Sequence, residues 1–262
     1  MIIDALPIWL LFLVTASLVV LAVEIGFRLG KIVRLRSDEE RESAVSAIAG
    51  AILGLLAFML AFTFSIASDR YDTKKGLVRE EANVLRTAWQ RSDFLQEPDR
   101  TKTKALLREY VGNRIAFTQT FNPDAAEASI DDATRIQHEV WAMAVLNAKT
   151  DPFMNSDIGA MYVESINQIA DLNALRVNHG LQARVPTGIW FVLYVLVILG
   201  MIAVGYHTAI AESRRSRVTT VLAISFSLVI ALIAALDHPM SRFISIPQQP
   251  LVSLQLEMKN TP

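Results

Sequence analysis

The chain contains no cysteine, and its 262 residues include only 11 glycines, 9 prolines and 4 histidines. The absence of cysteine excludes disulfide bonds, a thiol nucleophile, cysteine-bound zinc and iron–sulfur clusters. The low glycine and proline content excludes a collagen-like or low-complexity chain. The 25 basic and 26 acidic side chains nearly balance, so the sequence lacks the basic excess of a general nucleic-acid-binding protein.

Motifs for catalysis and for cofactor binding are also missing. The sequence has no Walker A loop, no Gly-x-Gly-x-x-Gly and no Gly-x-Ser-x-Gly. Its histidines are scattered, and no two have the spacing that holds a metal ion on one helix face. We therefore predict no catalytic residue, no metal and no cofactor, and we expect that the protein is not an enzyme.

Apolar residues, by contrast, are abundant: they make up 52% of the chain, against 19% for charged residues. A bilayer core about 30 Å thick requires about 20 apolar residues per helix. Four stretches qualify, at residues 5–23, 43–68, 185–211 and 218–236. Because no lysine or arginine precedes Arg28, we interpret the first stretch as a retained span and not as a signal peptide.

A polar segment, residues 69–184, separates the second span from the third. Its apolar residues recur at helical spacing, and Pro98, Asn122-Pro123 and Asp151-Pro152 interrupt the pattern. The sequence thus predicts an all-α fold, with four transmembrane helices and an all-helical insert between helices 2 and 3, and span 2 running on into the insert. The predicted parts are a hairpin of spans 1 and 2 (5–68), the insert (69–184), a hairpin of spans 3 and 4 (185–238) and a C-terminal tail (239–262).

Two short loops, residues 31–42 and 212–217, are rich in arginine and lysine. The positive-inside rule places such loops in the cytoplasm, which puts the insert and both chain ends on the outer side. The basic residues that follow span 2 oppose this orientation. They belong to a long domain, however, where the rule has less force.

Span 2 carries a stripe of small residues on one helix face. Such stripes let two backbones approach closely and are typical of helix–helix contacts in lipid. We expect helices to pack along this stripe and the chain to form a homo-oligomer through it. Its members are Ala47, Gly50, Gly54, Ala57, Ala61, Ser65 and Ser68.

Three large apolar residues, Phe58, Phe62 and Ile66, recur every fourth position beside this stripe. In one interpretation they pack against another span or face lipid. In the other they are repeated around a symmetry axis and form an apolar constriction that stops ions by dewetting.

Charged residues near the ends of the spans also allow two interpretations. Glu24 and Arg28 are four residues apart and form either a functional pair within the membrane or an interfacial pair. Asp237 either pairs with a basic group or marks the water boundary. A dense run after span 2 forms either a solvated collar or the mouth of a pore, where it would raise the local anion concentration. The basic residues of this run are Arg70, Lys74, Lys75 and Arg79.

Several runs of the sequence together resemble the bestrophin-like domain family of bacterial membrane proteins. They are EIGFRLG at 24–30, GAILGLLAFMLAFTFS at 50–65, EEAN at 80–83, LDHP at 236–239 and SIPQQPL at 245–251. The resemblance covers nearly the whole chain and implies a multi-pass protein of the bacterial inner membrane. It implies no particular chemistry, and Gly26 and Gly30 within the first run add a packing motif.

This family is similar in turn to the bestrophins, which are pentameric ion channels with four spans per subunit and a hydrophobic neck on the second span. The similarity implies an ion channel or permeability pathway with inorganic ions and membrane lipid as partners. Two features depart from that pattern: the bestrophin insert is cytosolic, and the acidic calcium clasp has no counterpart here. Because fold-level analogy does not establish function, a non-conducting scaffold or sensor whose insert binds a partner remains the alternative.

Overall fold

The computed structural model describes residues 7–34, 42–119, 123–150, 154, 156–179, 184–211, 218–238 and 244–260. The predicted interruptions at Asn122 and Asp151-Pro152, and most of the two basic loops, lie outside these residues. Within these residues every regular secondary-structure element is a helix and no strand occurs, so the all-α fold is confirmed. The helices are α1 (Ile8–Arg34), α2 (Glu42–Arg91), α3 (Asp99–Gln119), α4 (Pro123–Thr150), α5 (Asp157–Val177), α6 (Thr187–Ile210), α7 (Val218–Asp237) and α8 (Gln249–Asn260).

Four helices are long and apolar enough to cross a membrane: α1, the first part of α2, α6 and α7. Their most apolar windows have mean hydropathies between 2.3 and 2.5, and they coincide with the four predicted spans. Helix α2 continues unbroken for 50 residues, as the sequence predicts for span 2. Since a span requires about 20 residues, the C-terminal part of α2 extends beyond the apolar core of a bilayer.

The chain divides into two compact units, and the first consists of Met1–Arg70 and Arg184–His238. We call it the membrane unit. Its apolar core includes Leu56, Leu193 and Ile230, which have no exposed surface. Helix α1 packs against α6 and α7 within this unit.

Glycines bring the backbones of α1 and α6 into contact. A Cβ atom on Gly26 would lie 2.0 Å from the carbonyl oxygen of Ile202, and one on Gly205 would lie 2.0 Å from that of Val23. A Cβ atom on Gly30 would lie 2.7 Å from the carbonyl oxygen of Tyr206. Only a residue without a side chain fits at such distances, so the packing role predicted for Gly26 and Gly30 is confirmed.

The second unit consists of Tyr71–Ala183 and Pro239–Pro262, and we call it the polar unit. Its core is built from the C-terminal part of α2 and from α3, α4, α5 and α8. Leu85, Leu107 and Ile136 are fully or almost fully buried there. The sequence pattern that predicted helices in the insert therefore corresponds to a helical unit with a core of its own.

Helix α8 belongs to this core, which differs from the separate C-terminal tail expected for residues 239–262. Leu251, Leu254 and Met258 lie on one side of α8 and have no exposed surface. The Arg108 guanidinium donates two hydrogen bonds, of 3.0 and 3.1 Å, to the Met258 carbonyl oxygen. Apolar burial and this cap on its last turn hold α8 in the polar unit.

The position of α8 also shows the order in which the chain contributes to the two units. The chain leaves the polar unit after α5 and returns to it with α8, and α6 and α7 lie between. A hairpin that crosses a membrane twice requires two consecutive apolar helices, and α6 and α7 meet this requirement.

Candidate functional site

The first part of α2 buries one side and leaves the opposite side uncovered. Leu56, Leu60, Thr63 and Ala67 are buried in the membrane unit. The residues predicted to pack helices lie on the other side and are exposed. They are Gly50, Gly54, Ala57, Ala61 and Ser65. We call this side the uncovered face of α2.

The glycines of the uncovered face show how open it is. A Cβ atom on Gly50 or on Gly54 would meet no atom of any other described helix within 4 Å. This differs from Gly26 and Gly205, which are in backbone contact within one chain. Packing of the Gly50–Gly54 stripe against a second copy stays a prediction.

The other membrane helices also expose apolar surface. Leu21 on α1, Phe191 on α6 and Leu228 on α7 are all more than half exposed, and large apolar side chains of this kind suit contact with lipid tails. In α2, only 17% of the most apolar window is buried, against 28–44% in the other three helices. The uncovered face is therefore distinguished both by its extent and by its small residues.

Two of the three predicted neck residues lie next to this stripe. The Phe58 and Phe62 side chains are 66% and 53% exposed. Their rings stack along the helix, with centroids 6.5 Å apart and planes inclined by 14°. Ile66 is half-buried and packs against the membrane-unit core, because eight helical steps rotate it about 80° from Phe58. Ile66 is thus less exposed than the two rings, and a neck formed by all three residues stays a prediction.

Asp237, at the end of α7, contacts the residues just before α6 and the middle of α2. Its carboxylate accepts a hydrogen bond of 2.9 Å from the Val185 backbone N–H and lies 3.7 Å from the Arg70 guanidinium. Arg184 donates to the Asp237 carbonyl oxygen at 3.2 Å. Of the two interpretations of Asp237, the structure shows the pairing with a basic group. Arg70 is thus engaged within its own chain.

The remaining charged residues singled out in the sequence differ in burial and in pairing. Lys74 is buried, whereas Lys75 and Arg79 are exposed on α2 in the polar unit. Arg28 donates a hydrogen bond of 2.8 Å to the Glu24 carboxylate, as their spacing predicts. With Arg70 engaged and Lys74 buried, Lys75 and Arg79 are the members of the predicted pore mouth that face outward.

A family comparison covers both units. The model of the Bestrophin-like domain matches residues 10–251, from α1 into α8. The chain belongs to the bestrophin-like family. Comparison with curated proteins and with solved structures finds no match. Together with the four apolar helices, the match identifies the chain as a membrane protein of the bestrophin-like family.

A buried ionic cluster in the polar unit of this bestrophin-like protein was not predicted from the sequence. Glu81 of α2 has no exposed surface. Its carboxylate accepts a hydrogen bond of 3.1 Å from the Tyr110 hydroxyl, pairs with Arg114 at 3.1 Å and contacts Arg176. Burial lowers the pKa of Arg114 below its usual value and that of Arg176 to about 10. The cluster joins α2, α3 and α5 by one carboxylate.

A sequence signal for this cluster exists in the helical register. Glu81 lies four residues from Leu77 and from Leu85, so it shares their buried side of α2. Glu80, its neighbour in the EEAN run, points outward and is exposed. Adjacent identical residues therefore have opposite environments.

The surface of α4 has a shallow groove with charged walls. Arg135 in this groove pairs with Glu109 at 2.5 Å and with Glu139 at 2.8 Å, so its positive charge is neutralised within the chain. Across the part of the chain that the structure describes, no group of three or more histidine, aspartate or glutamate residues is arranged to hold a metal ion.

Proposed function

We propose that this bestrophin-like protein forms an oligomeric ion channel or permeability pathway lined by α2. The observation that carries the proposal is the uncovered face of α2, where a Cβ atom on Gly50 or Gly54 would meet no other described helix and Phe58 and Phe62 stand exposed. Small residues favour close helix contact in lipid, so copies of the chain are expected to meet along this face. The rings then lie near the axis around which the copies are arranged.

The two rings suit a hydrophobic gate. Phe58 and Phe62 are one turn apart and stacked, so each copy contributes two successive apolar layers. An ion at such a constriction loses hydration without gaining ligands, and a narrow apolar neck empties of water. The small residues beside the rings allow the helices to approach closely enough for the neck to be narrow.

The proposal includes a location and an orientation. We place the protein in the bacterial inner membrane, with the polar unit in water as an insert between spans 2 and 3. The basic loops support cytoplasmic placement of residues 31–42 and 212–217, and hence an insert on the outer side. Membrane lipid and inorganic ions are the partners of this arrangement.

Ion flux into liposomes tests the channel. Phe58→Ala/Phe62→Ala removes both apolar layers, and we expect flux well above that of the wild type, with an unchanged oligomer mass. Phe191→Ala is the control, because this ring on α6 is 69% exposed and lies outside the uncovered face. Its flux is expected to equal the wild-type flux.

The alternative function, a non-conducting scaffold or sensor whose insert binds a partner, predicts different results. If the two rings are buried by packing in the assembled protein, their loss costs about 3–5 kcal/mol each. The double variant would then melt at a lower temperature with no gain in flux. Flux equal to that of empty liposomes, in the wild type and in the double variant alike, would contradict the channel and leave this alternative.

A further inference from the structure

The C-terminal part of α2 has a second uncovered surface, which is polar. Asp72, Lys75, Arg79 and Glu80 are exposed, and a Cβ atom on Gly76 would meet no other atom of the described chain within 4 Å. The opposite side of this segment is buried in the polar unit through Val78, Ala82 and Leu85 and their neighbours. We call this surface the charged face of α2.

The basic side chains and Glu80 lie on opposite flanks of this face, with Asp72 between them. Lys75 and Arg79 are four residues apart and occupy one flank. Glu80 comes five residues after Lys75, which places it about 140° around the helix, on the other flank. No side-chain hydrogen bond or ion pair joins Lys75, Arg79 or Glu80 to another described residue. By contrast, Arg86, farther along α2, pairs with Glu257 at 2.9 Å.

The balance of charge on this face indicates which kind of partner can bind it. The face carries two acidic and two basic side chains, Asp72 and Glu80 against Lys75 and Arg79. A ligand of one sign, such as an anionic lipid surface or a nucleic acid, would meet repulsion on part of the face. A second copy of the same chain offers the complementary charges in the same pattern.

The spacing of Lys75 and Glu80 fits a parallel copy. In parallel helix pairs, residues that flank the contact form ion pairs between the helices, and a separation of five positions places two residues on opposite flanks. Lys75 and Glu80 stand in this relation. They do not share a face within one chain, so the pair forms only between copies.

We propose that the charged face of α2 is a contact between copies of the chain, in which Lys75 of one copy pairs with Glu80 of the next. This proposal rests on the oligomer of the proposed function, which supplies the second copy. A basic flank and an acidic flank on one helix make a heterologous contact, and repetition of such a contact forms a ring where the rotation between copies closes. Ion pairs exposed to water contribute more to the orientation and register of a contact than to its affinity, and they weaken as salt is added.

A chain without cysteine allows a direct test. Gly76→Cys places the only thiol of the protein on the charged face and keeps both charges. We expect a short bismaleimide to join copies of this variant in detergent at low salt. Lys102→Cys, at an exposed position on α3, is the control and is expected to stay uncross-linked.

Charge reversal in the Gly76→Cys background identifies the pair. Lys75→Glu and Glu80→Lys each bring like charges together, and each is expected to lower the cross-linking yield several fold. The double reversal Lys75→Glu/Glu80→Lys restores opposite charges and is expected to restore the yield. Lys102→Glu is the matched control and is expected to leave the yield unchanged.

The possible failures are distinguishable. A monomeric native mass for the wild type would contradict the oligomer of the proposed function together with this contact. An intact oligomer that does not cross-link at Gly76→Cys, or that shows no rescue by the double reversal, would overturn only the Lys75–Glu80 contact.

Discussion

Glu81 illustrates how much one side chain contributes to the polar unit. It is fully buried, and both of its carboxylate oxygens are engaged by groups from α3 and α5. Removing a charge from water is expensive, and a buried carboxylate is tolerated only when opposite charges and hydrogen bonds surround it. The cluster therefore depends on each of its members.

We expect Glu81→Gln to destabilise the polar unit strongly. The substitution removes the counter-charge that Arg114 and Arg176 share, and breaking a buried pair typically costs about 3–5 kcal/mol. The melting temperature in detergent measures the effect. Glu127→Gln, at an exposed position on α4, is the control and is expected to change stability by less than about 0.5 kcal/mol. Equal melting temperatures for the two variants would contradict a structural role for Glu81.

The sequence predicted individual residues unequally well. The Glu24–Arg28 pair lies within one helix, so its spacing was sufficient to predict it. The partner of Asp237 is Arg70, which is 167 positions away in sequence (237 minus 70), so spacing left two alternatives open. Glu81 falls in the dense charged run after span 2, which the sequence allows as a solvated collar or as a pore mouth. Composition does not distinguish Glu81 from Glu80, whereas the helical register does.

At the scale of whole helices, the contact between α1 and α6 depends on glycine at both partners. The Gly26–Gly30 motif on α1 was visible in the sequence because its members are four residues apart. Gly205 on α6 was missed, since the preceding glycine, Gly200, is five residues away and the two form no such motif. Gly200 instead lies near Leu53 of α2, with 3.4 Å between the position of its missing Cβ and a leucine methyl group.

Gly205→Ala is expected to separate α1 from α6. The added methyl group would lie 2.0 Å from the Val23 carbonyl oxygen, and overpacking of this kind costs about 1–3 kcal/mol. The melting temperature of the purified protein should fall. Gly188→Ala, on the same helix, is the control, because the added methyl group would meet no other described helix within 4 Å. A melting temperature as high as that of the control would show that the two helices adjust without cost.

Helix α8 shows the limit of periodicity in a short segment. Pro247 precedes its 12 residues and Pro250 is its second residue. Three buried positions are too few to distinguish a helix from a tail by pattern alone. Its place in the polar-unit core depends on contacts with α2 and α3, such as that between Arg86 and Glu257. Contacts between residues so distant in sequence are not encoded in local spacing.

At the scale of the whole molecule, hydropathy predicted the number and position of the spans because each bilayer crossing imposes its own length and composition. The surface that each span presents was less predictable. On the same helix, α2, Leu56 and Leu60 are buried in the core of the membrane unit, whereas Gly50 and Gly54 lie on the uncovered face. Which of two apolar faces meets the rest of the chain depends on the packing of α1, α6 and α7, and not on the helix alone.

The sidedness of the membrane is the last prediction, and it rests on charge rather than on packing. Residues 212–217 contain three arginines and one glutamate, between two spans, and short loops of this kind stay in the cytoplasm. Because α3 and α8 belong to one unit, a thiol at either helix reports the same side. In intact cells, an impermeant maleimide should therefore label Lys102→Cys and Ser253→Cys but not Ser213→Cys, while all three react after lysis. Labelling of Ser213→Cys alone in intact cells would place the insert in the cytoplasm, on the side that the bestrophin similarity implies.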